Sequence, residues 1–96
     1  MLPPNGIALV TGAASGIGKE CALAFAAQGA AGVVFADLDL PKVQKVAEKS
    51  SKMATNPSYR TLPISVDVTD LTQVQDMVSQ TLALFGKVDY NVNCAG

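Results

Sequence analysis

The sequence contains no histidine, no tryptophan and only two cysteines. Cys21 and Cys94 stand far apart and do not form a C-x-x-C pair. Without histidine or paired cysteines the common zinc sites are excluded, so we predict no metal site. Two isolated thiols are typical of reduced core cysteines in a cytoplasmic protein, and we expect that location.

Charge and long apolar runs are also scarce. Charged residues make up 16% of the chain and the formal net charge is -1, so we expect no binding to nucleic acid or to an anionic membrane surface. No stretch approaches the ~18 apolar residues of a membrane span, and the initial MLPPNG does not resemble a secretory signal. Hydrophobic residues nevertheless account for 49% of the 96 residues, which predicts one globular domain over 1–96.

Short apolar runs alternate along the chain with helical patterns. The wholly apolar runs at 7–10 and 33–36, the alternating segment 62–66 and the segment 88–93 predict four strands. Helical spacing between them predicts three helices. The order β-α-β-α-β-α-β, with short connections, predicts an α/β fold with a parallel sheet and helices on both faces. Pro63 places the third strand at a sheet edge, because proline cannot donate to a ladder.

The ends and apolar faces of the helices follow from local residue types. The first helix begins near Gly16 and ends at Gly29, the second is capped by Asp39, and Asp70 with Gln73 resembles a capping box for the third, which ends at Gly86. The predicted apolar face of the first helix is Ile17, Cys21, Ala24 and Phe25, and that of the third is Leu71, Val74, Val78, Leu82 and Phe85.

The stretch TGAASGIGK, residues 11–19, follows the first strand and opens the first helix. A glycine-rich turn at that place predicts a phosphate site. The phosphoryl-transfer pattern G-x-x-x-x-G-K-[ST], aligned on the glycine and lysine, requires Gly at 13 and Ser or Thr at 20. The chain has Ala13 and Glu20, and a glutamate offers no hydroxyl to magnesium. That kind of site is therefore disfavoured.

The common dinucleotide pattern G-x-G-x-x-G is not matched either, since the glycines are spaced G-x-x-x-G-x-G. The same physical roles are still available. Gly12 permits the tight turn, Gly16 permits close approach of a phosphate, and Gly18 permits close packing of helix on strand. Ser15 is either a hydroxyl donor to the ligand or a simple turn former.

These residues resemble the glycine motif of the short-chain dehydrogenases/reductases. Thr11-Gly12-x-x-x-Gly16-Ile17-Gly18 matches that motif at every defined position, and the resemblance continues at Asp37, at Asp67-Val68 and at Asn93-Cys94-Ala95-Gly96. It covers essentially the whole chain. The resemblance implies a Rossmann-type parallel sheet with strand order 3-2-1-4, truncated after the fourth strand.

The resemblance also implies roles for individual residues. Gly12, Ser15, Gly16, Ile17 and Gly18 are expected to contact the phosphates and ribose of a nicotinamide dinucleotide. Asp67 is expected to bond the adenine amino group, with Val68 beside the ring, and Asn93, Ala95 and Gly96 to flank the cofactor ribose and steady the sheet. Cys94 departs from the family, which usually has Asn there, and a thiol is a weaker donor.

Asp37 predicts NAD rather than NADP. It ends the second strand 19 residues after Gly18, where an acidic side chain accepts a hydrogen bond from the ribose 2′-hydroxyl. A 2′-phosphate there would meet a carboxylate, with a repulsion of roughly 4 kcal/mol at ~4 Å and an effective dielectric of ~20. Neither Leu38 nor Ser15 supplies a compensating cation.

The family's catalytic Tyr-x-x-x-Lys pair is not found, because Tyr59 and Tyr90 are followed four residues later by Pro63 and Cys94. We therefore assign no catalytic residue. One interpretation is the cofactor-binding half of an oxidoreductase acting on an alcohol or ketone; the alternative is a truncated, catalytically inactive nucleotide-binding remnant. In either case the fourth strand is expected to form an open edge through which the 96-residue chain self-associates.

Overall fold

The computed structural model describes residues 2–94 and contains one parallel sheet in the strand order β3-β2-β1-β4, as predicted. Predicted residues Ala95 and Gly96 lie outside the described residues. The elements in chain order are β1 Ile7–Thr11, α1 Gly16–Ala27, β2 Gly32–Asp37, α2 Leu40–Met53, β3 Arg60–Ser65, α3 Leu71–Phe85 and β4 Tyr90–Asn93.

The two central strands are buried on both faces, which explains their unbroken apolar sequences. On one face, Val10 and Phe35 pack with the buried residues of α1 and α2, including Leu23 and Val43. On the other, Leu9 and Val34 pack with Met77 of α3, and Ile64 and Val66 extend this second cluster. Helices therefore cover both faces, as the sequence predicts.

Strand β3 is an edge strand, as Pro63 predicts. Within residues 2–94 its one strand partner is β2, and Pro63 lies opposite Phe35 in the parallel register. Tyr59, which precedes the strand, holds it to α2: its hydroxyl shares a 2.7 Å hydrogen bond with Ser50 Oγ, and Ser50 Oγ donates to the carbonyl oxygen of Ala47.

Strand β4 pairs with β1 and forms the opposite edge of the described sheet. Asp89 secures its beginning by accepting from the backbone N–H of Ile7 at 2.9 Å and pairing with Lys87 at 2.9 Å. These contacts lower the pKa of Asp89 below its ordinary value, and the hydrogen bond with Lys87 is the largest cause. Asn91, a polar residue within β4, is exposed.

The predicted face of α1 was only partly right, since Phe25 packs against the core but Ala24 is exposed. Its buried residues are Gly18, Ala22, Leu23 and Ala26, whereas Ile17 is 77% exposed. Small residues at 18, 22 and 26 let the helix lie close to the sheet, and this contact turns Ile17 away from it.

The predicted face of α3 needs a similar correction, since Met77 and Thr81 are its buried residues while Leu71, Val78 and Leu82 are exposed. The capping box is only half formed. Asp70 accepts from the N–H groups of Thr72 and Gln73, but the Gln73 side-chain oxygen accepts from the N–H of Asp67. Within residues 2–94, no helix is long and apolar enough to cross a membrane.

Candidate functional site

A cleft of about 690 Å³ opens at the carboxyl ends of the strands, beside the beginning of α1. This is the usual ligand position in open parallel sheets. The residues that line it come from the turns after β1, β2, β3 and β4: Gly12, Ser15, Gly16, Ile17, Gly18, Asp37, Leu38, Val66, Asp67, Val68, Thr69 and Cys94.

The glycine-rich turn forms the floor of the cleft. Gly12 and Gly16 have φ values of 71° and 59°, a left-handed conformation that side chains disfavour. Gly18 is required for a different reason: a Cβ there would overlap the carbonyl group of Gly12, with the carbonyl carbon 2.7 Å away. The turn therefore brings α1 close against the end of β1, as expected for Gly12 and Gly18.

The beginning of α1 is suited to an anion. Ser15 is the N-cap residue, yet its side chain makes no capping hydrogen bond, so its hydroxyl remains available to a ligand. The first turn contains no acidic residue. Its N–H groups, together with the helix dipole, thus present positive potential to the cleft.

Asp37 lies opposite this helix end, on the last residue of β2. Its Oδ2 accepts from the backbone N–H of Ala14 at 3.1 Å, and its Oδ1 accepts from the N–H of Leu38 at 2.7 Å. The carboxylate is consequently fixed between the glycine-rich turn and its own strand end. A carboxylate oxygen has more than one lone pair, so both atoms can still accept a ligand hydroxyl.

Asp67 is the second acid of the cleft. Its Oδ1 accepts from both the N–H and the hydroxyl of Thr69, at 2.9 and 2.6 Å. These bonds lower the pKa of this exposed carboxyl below its ordinary value, and the bond from the hydroxyl is the largest cause. Thr69 therefore orients an ionised acceptor at the cleft wall.

Large apolar side chains are exposed around the same opening. Ile17, Leu38 and Val68 are 77%, 69% and 40% exposed, although all line the cleft. Exposed aliphatic side chains that converge on a cleft indicate a surface for an apolar or planar group. None of the described residues lining the cleft is lysine or arginine.

The structure thus brings together most of the residues predicted to bind a cofactor: Gly12, Ser15, Gly16, Ile17, Gly18, Asp37, Asp67 and Val68. Asn93 is not among the lining residues. Its Oδ1 accepts from the Thr11 hydroxyl at 2.8 Å and so joins β4 to β1, in keeping with the sheet-steadying half of its predicted role. Its contact with a cofactor remains a prediction.

Four further cleft residues were not assigned by sequence reasoning: Leu38, Val66, Thr69 and Cys94. Each lies within two residues of a predicted site residue and comes after the end of a strand. That position was a usable signal. Among residues 2–94, no cluster of three potential ligands suits a metal ion.

Comparison with known proteins gives consistent results. The family model "short chain dehydrogenase" matches residues 6–96. The chain is 54% identical over 92 residues to the short-chain dehydrogenase anuF of Penicillium roqueforti, which covers 96% of this chain and 33% of that protein. It is 37% identical to 3-hydroxyacyl-CoA dehydrogenase type-2 of Drosophila melanogaster, with coverage of 96% and 33%.

Solved structures agree on the fold. L-sorbose reductase from Gluconobacter frateurii, complexed with NADPH and L-sorbose, superposes with a TM-score of 0.85 at 30% identity, covering 98% of this chain and 36% of that one. A short-chain type dehydrogenase/reductase from Mycobacterium marinum gives 0.80 at 37% identity, with coverage of 90% and 32%. The chain therefore spans about a third of the length of its relatives.

Proposed function

Because the chain belongs to the short-chain dehydrogenase family, we propose that it is the NAD-binding part of an oxidoreductase that transfers hydride between a nicotinamide and an alcohol or carbonyl compound. The observation on which this depends is the arrangement of the cleft, where the glycine-rich turn and the beginning of α1 face the Asp37 carboxylate.

The diphosphate would lie at the beginning of α1. The positive φ of Gly16, and the open space where its side chain would stand, leave the backbone accessible to phosphate oxygens. N–H groups of the first helical turn and the Ser15 hydroxyl supply donors. The absence of an acidic residue in that turn avoids repulsion.

The adenosine would extend from the helix end across the ends of β2 and β3. Leu38 and Val68 offer exposed aliphatic surfaces to a planar ring, and Asp67 offers an ionised acceptor to its amino group. The Asp67 Oδ2 has no hydrogen-bond donor among the described residues. It is thus the oxygen we assign to the adenine.

We further propose that NAD is preferred over NADP. Asp37 would accept from the ribose 2′-hydroxyl, whereas a 2′-phosphate would face its negative charge. The repulsion of roughly 4 kcal/mol is reduced by solvent. If about 1.4 kcal/mol survives, the preference is about tenfold. The reductase complexed with NADPH is a different protein, so this preference depends on residues of the present chain alone.

The described residues would supply binding and not chemistry. Tyr59 is held by Ser50 between α2 and β3, and the ring of Tyr90 lies 5.3 Å from that of Phe25; neither lines the cleft. A general acid for hydride transfer would have to come from residues beyond these.

The second candidate, a nucleotide-binding module without catalysis, depends on the same observation. A cytoplasmic location is proposed from the two free cysteines.

Titration with NADH and NADPH tests the proposal. The chain contains no tryptophan, so the fluorescence of the reduced nicotinamide itself serves as signal. We expect saturable NADH binding and NADPH binding about tenfold weaker. In Asp37→Ala the difference between the two affinities should be smaller. Asp39→Ala is the matched control, because Asp39 caps α2 and does not line the cleft. Tighter binding of NADPH would reverse the assignment.

Catalysis is tested separately with a panel of alcohols and NAD. The 96-residue chain should bind the cofactor and show no reduction of it. Turnover by this chain would contradict the assignment of binding alone.

A further inference from the structure

Two consecutive N–H groups attach the glycine-rich turn to the end of β2. The N–H of Ala13 donates to the carbonyl oxygen of Ala36 at 3.1 Å, which is a backbone contact. The N–H of Ala14 donates at 3.1 Å to Oδ2 of Asp37, which is a side-chain contact. The second attachment therefore depends on the residue type at position 37.

The turn needs such an attachment. It begins and ends at glycines with positive φ, Gly12 and Gly16, and glycine restricts the backbone less than any other residue. Ser15 is exposed and makes no capping bond. Beyond the buried Ala13, the Ala14 N–H is thus the contact that fixes the segment leading to the helix.

The Asp37 carboxylate is suited to this task because it is itself held. Oδ1 accepts from the N–H of Leu38 at 2.7 Å, which fixes the orientation of the group. An ionised acceptor also makes a stronger hydrogen bond than a neutral one. The side chain therefore links the turn rigidly to β2.

We propose that Asp37 is a positioning residue for the phosphate-binding turn, in addition to its contact with the ribose. This inference rests on the proposed function, since it concerns how the same cleft receives a dinucleotide. A turn held in its binding conformation before the ligand arrives loses less entropy on binding. Asp37 thus strengthens binding of the diphosphate without contacting the diphosphate itself.

The two roles predict opposite results for a ligand without ribose hydroxyls. The probes are ADP and 2′,3′-dideoxy-ADP. If Asp37 serves only as a hydroxyl acceptor, Asp37→Ala leaves binding of the dideoxy probe unchanged, or strengthens it by removing a negative charge near the diphosphate. If Asp37 positions the turn, the same substitution weakens dideoxy-ADP by about three- to tenfold.

Amide hydrogen exchange, followed by NMR in the unliganded chain, measures the attachment directly. In Asp37→Ala we expect exchange at Ala14 to accelerate about tenfold, while Ala13 stays protected by the backbone of Ala36. Ala13 thereby reports that the variant is folded. Asp37→Asn keeps one side-chain oxygen and should restore part of the Ala14 protection. Asp39→Ala should leave the exchange rates of both amides unchanged.

The outcomes separate this inference from the proposed function. Unchanged exchange at Ala14 in Asp37→Ala, or undiminished affinity for dideoxy-ADP, overturns the positioning role even if NADH binds. Conversely, faster exchange at Ala14 in a chain that binds no NADH upholds the attachment and rejects the dinucleotide site.

Discussion

Gly18 shows how a single missing side chain shapes the site. A Cβ at this position would overlap the carbonyl group of Gly12, which is backbone and cannot rotate away. We expect Gly18→Ala to separate α1 from β1, to lower the free energy of unfolding by about 1–3 kcal/mol and to weaken NADH binding. Denaturant unfolding and the NADH titration measure the two effects.

Gly16→Ala is the comparison for that variant. Nothing lies within 4 Å of its Cβ position, and the cost is backbone strain at a φ of 59°, about 1 kcal/mol. Stability should therefore fall less than in Gly18→Ala. Equal losses of stability would show that the contact with Gly12 is not the reason for glycine at 18.

Tyr59 predicts a pH dependence at the same scale. Burial is the main cause that raises its pKa from 10.0 to about 12, and the hydrogen bond with Ser50 partly opposes it. Since the unfolded chain gives up this proton at lower pH than the folded one, the stability from Tyr59 is complete below pH 10. It is lost as pH rises from 10 to about 12.

The measurement is the free energy of unfolding between pH 8 and 12 for the wild-type chain and for Tyr59→Phe. At the lower end of this pH range the phenylalanine variant should be less stable by about 1 kcal/mol, and the difference should shrink above pH 10. Ser50→Ala leaves Tyr59 buried, and this variant should still lose stability at alkaline pH. Parallel curves for the wild type and Tyr59→Phe would refute the assignment.

The cap of α3 is a prediction at the scale of the element. Asp70 accepts from the N–H groups of Thr72 and Gln73 at 3.0 and 3.3 Å, so Asp70→Ala should cost about 1 kcal/mol of stability. Asp76→Ala is the matched control, since it removes an exposed carboxylate from the interior of the same helix. The free energies of unfolding compare the two, and equal losses would exclude a capping effect.

Element order, the edge position of β3 and the helix ends were predictable from sequence because their causes are local, whereas the full strand order was implied by the family resemblance. Val33 and its neighbours form an unbroken apolar run, Pro63 is disfavoured in a central strand, and Gly86 ends α3 with a φ of 79°. Each of these signals is contained in a few consecutive residues. The same locality underlies the prediction that the glycine-rich turn binds phosphate.

Helix faces and side-chain partners were less predictable because they depend on contacts between distant residues. Ile17 fits an apolar stripe, yet the close approach of Gly18 to Gly12 turns it toward the cleft. Asp37 was predicted from position alone, whereas its bond to Ala14 follows from how β1 and β2 end side by side. Thr69 was missed because its bond to Asp67 requires a particular bend after β3.

For the whole molecule, the two edges of the sheet differ in a way that predicts association. The β3 edge contains Pro63, which withholds a donor, whereas β4 has β1 as its one strand partner among the described residues and contains no proline. Leu71, Val78 and Leu82 of α3 are also exposed. We therefore expect the 96-residue chain to self-associate through β4, a prediction that sedimentation velocity over a range of concentrations measures.

Asn91→Lys tests which edge is used. Asn91 is exposed and lies within β4, so a lysine there is accommodated in the monomer but opposes a second strand by charge repulsion and solvation. Association should weaken about tenfold or more if the repulsion exceeds ~1.4 kcal/mol. Gln80→Lys places the same charge on the exposed surface of α3 and should leave association nearly unchanged. A wild-type chain that stays monomeric at every concentration, or an equal response to both lysines, would remove β4 as the contact.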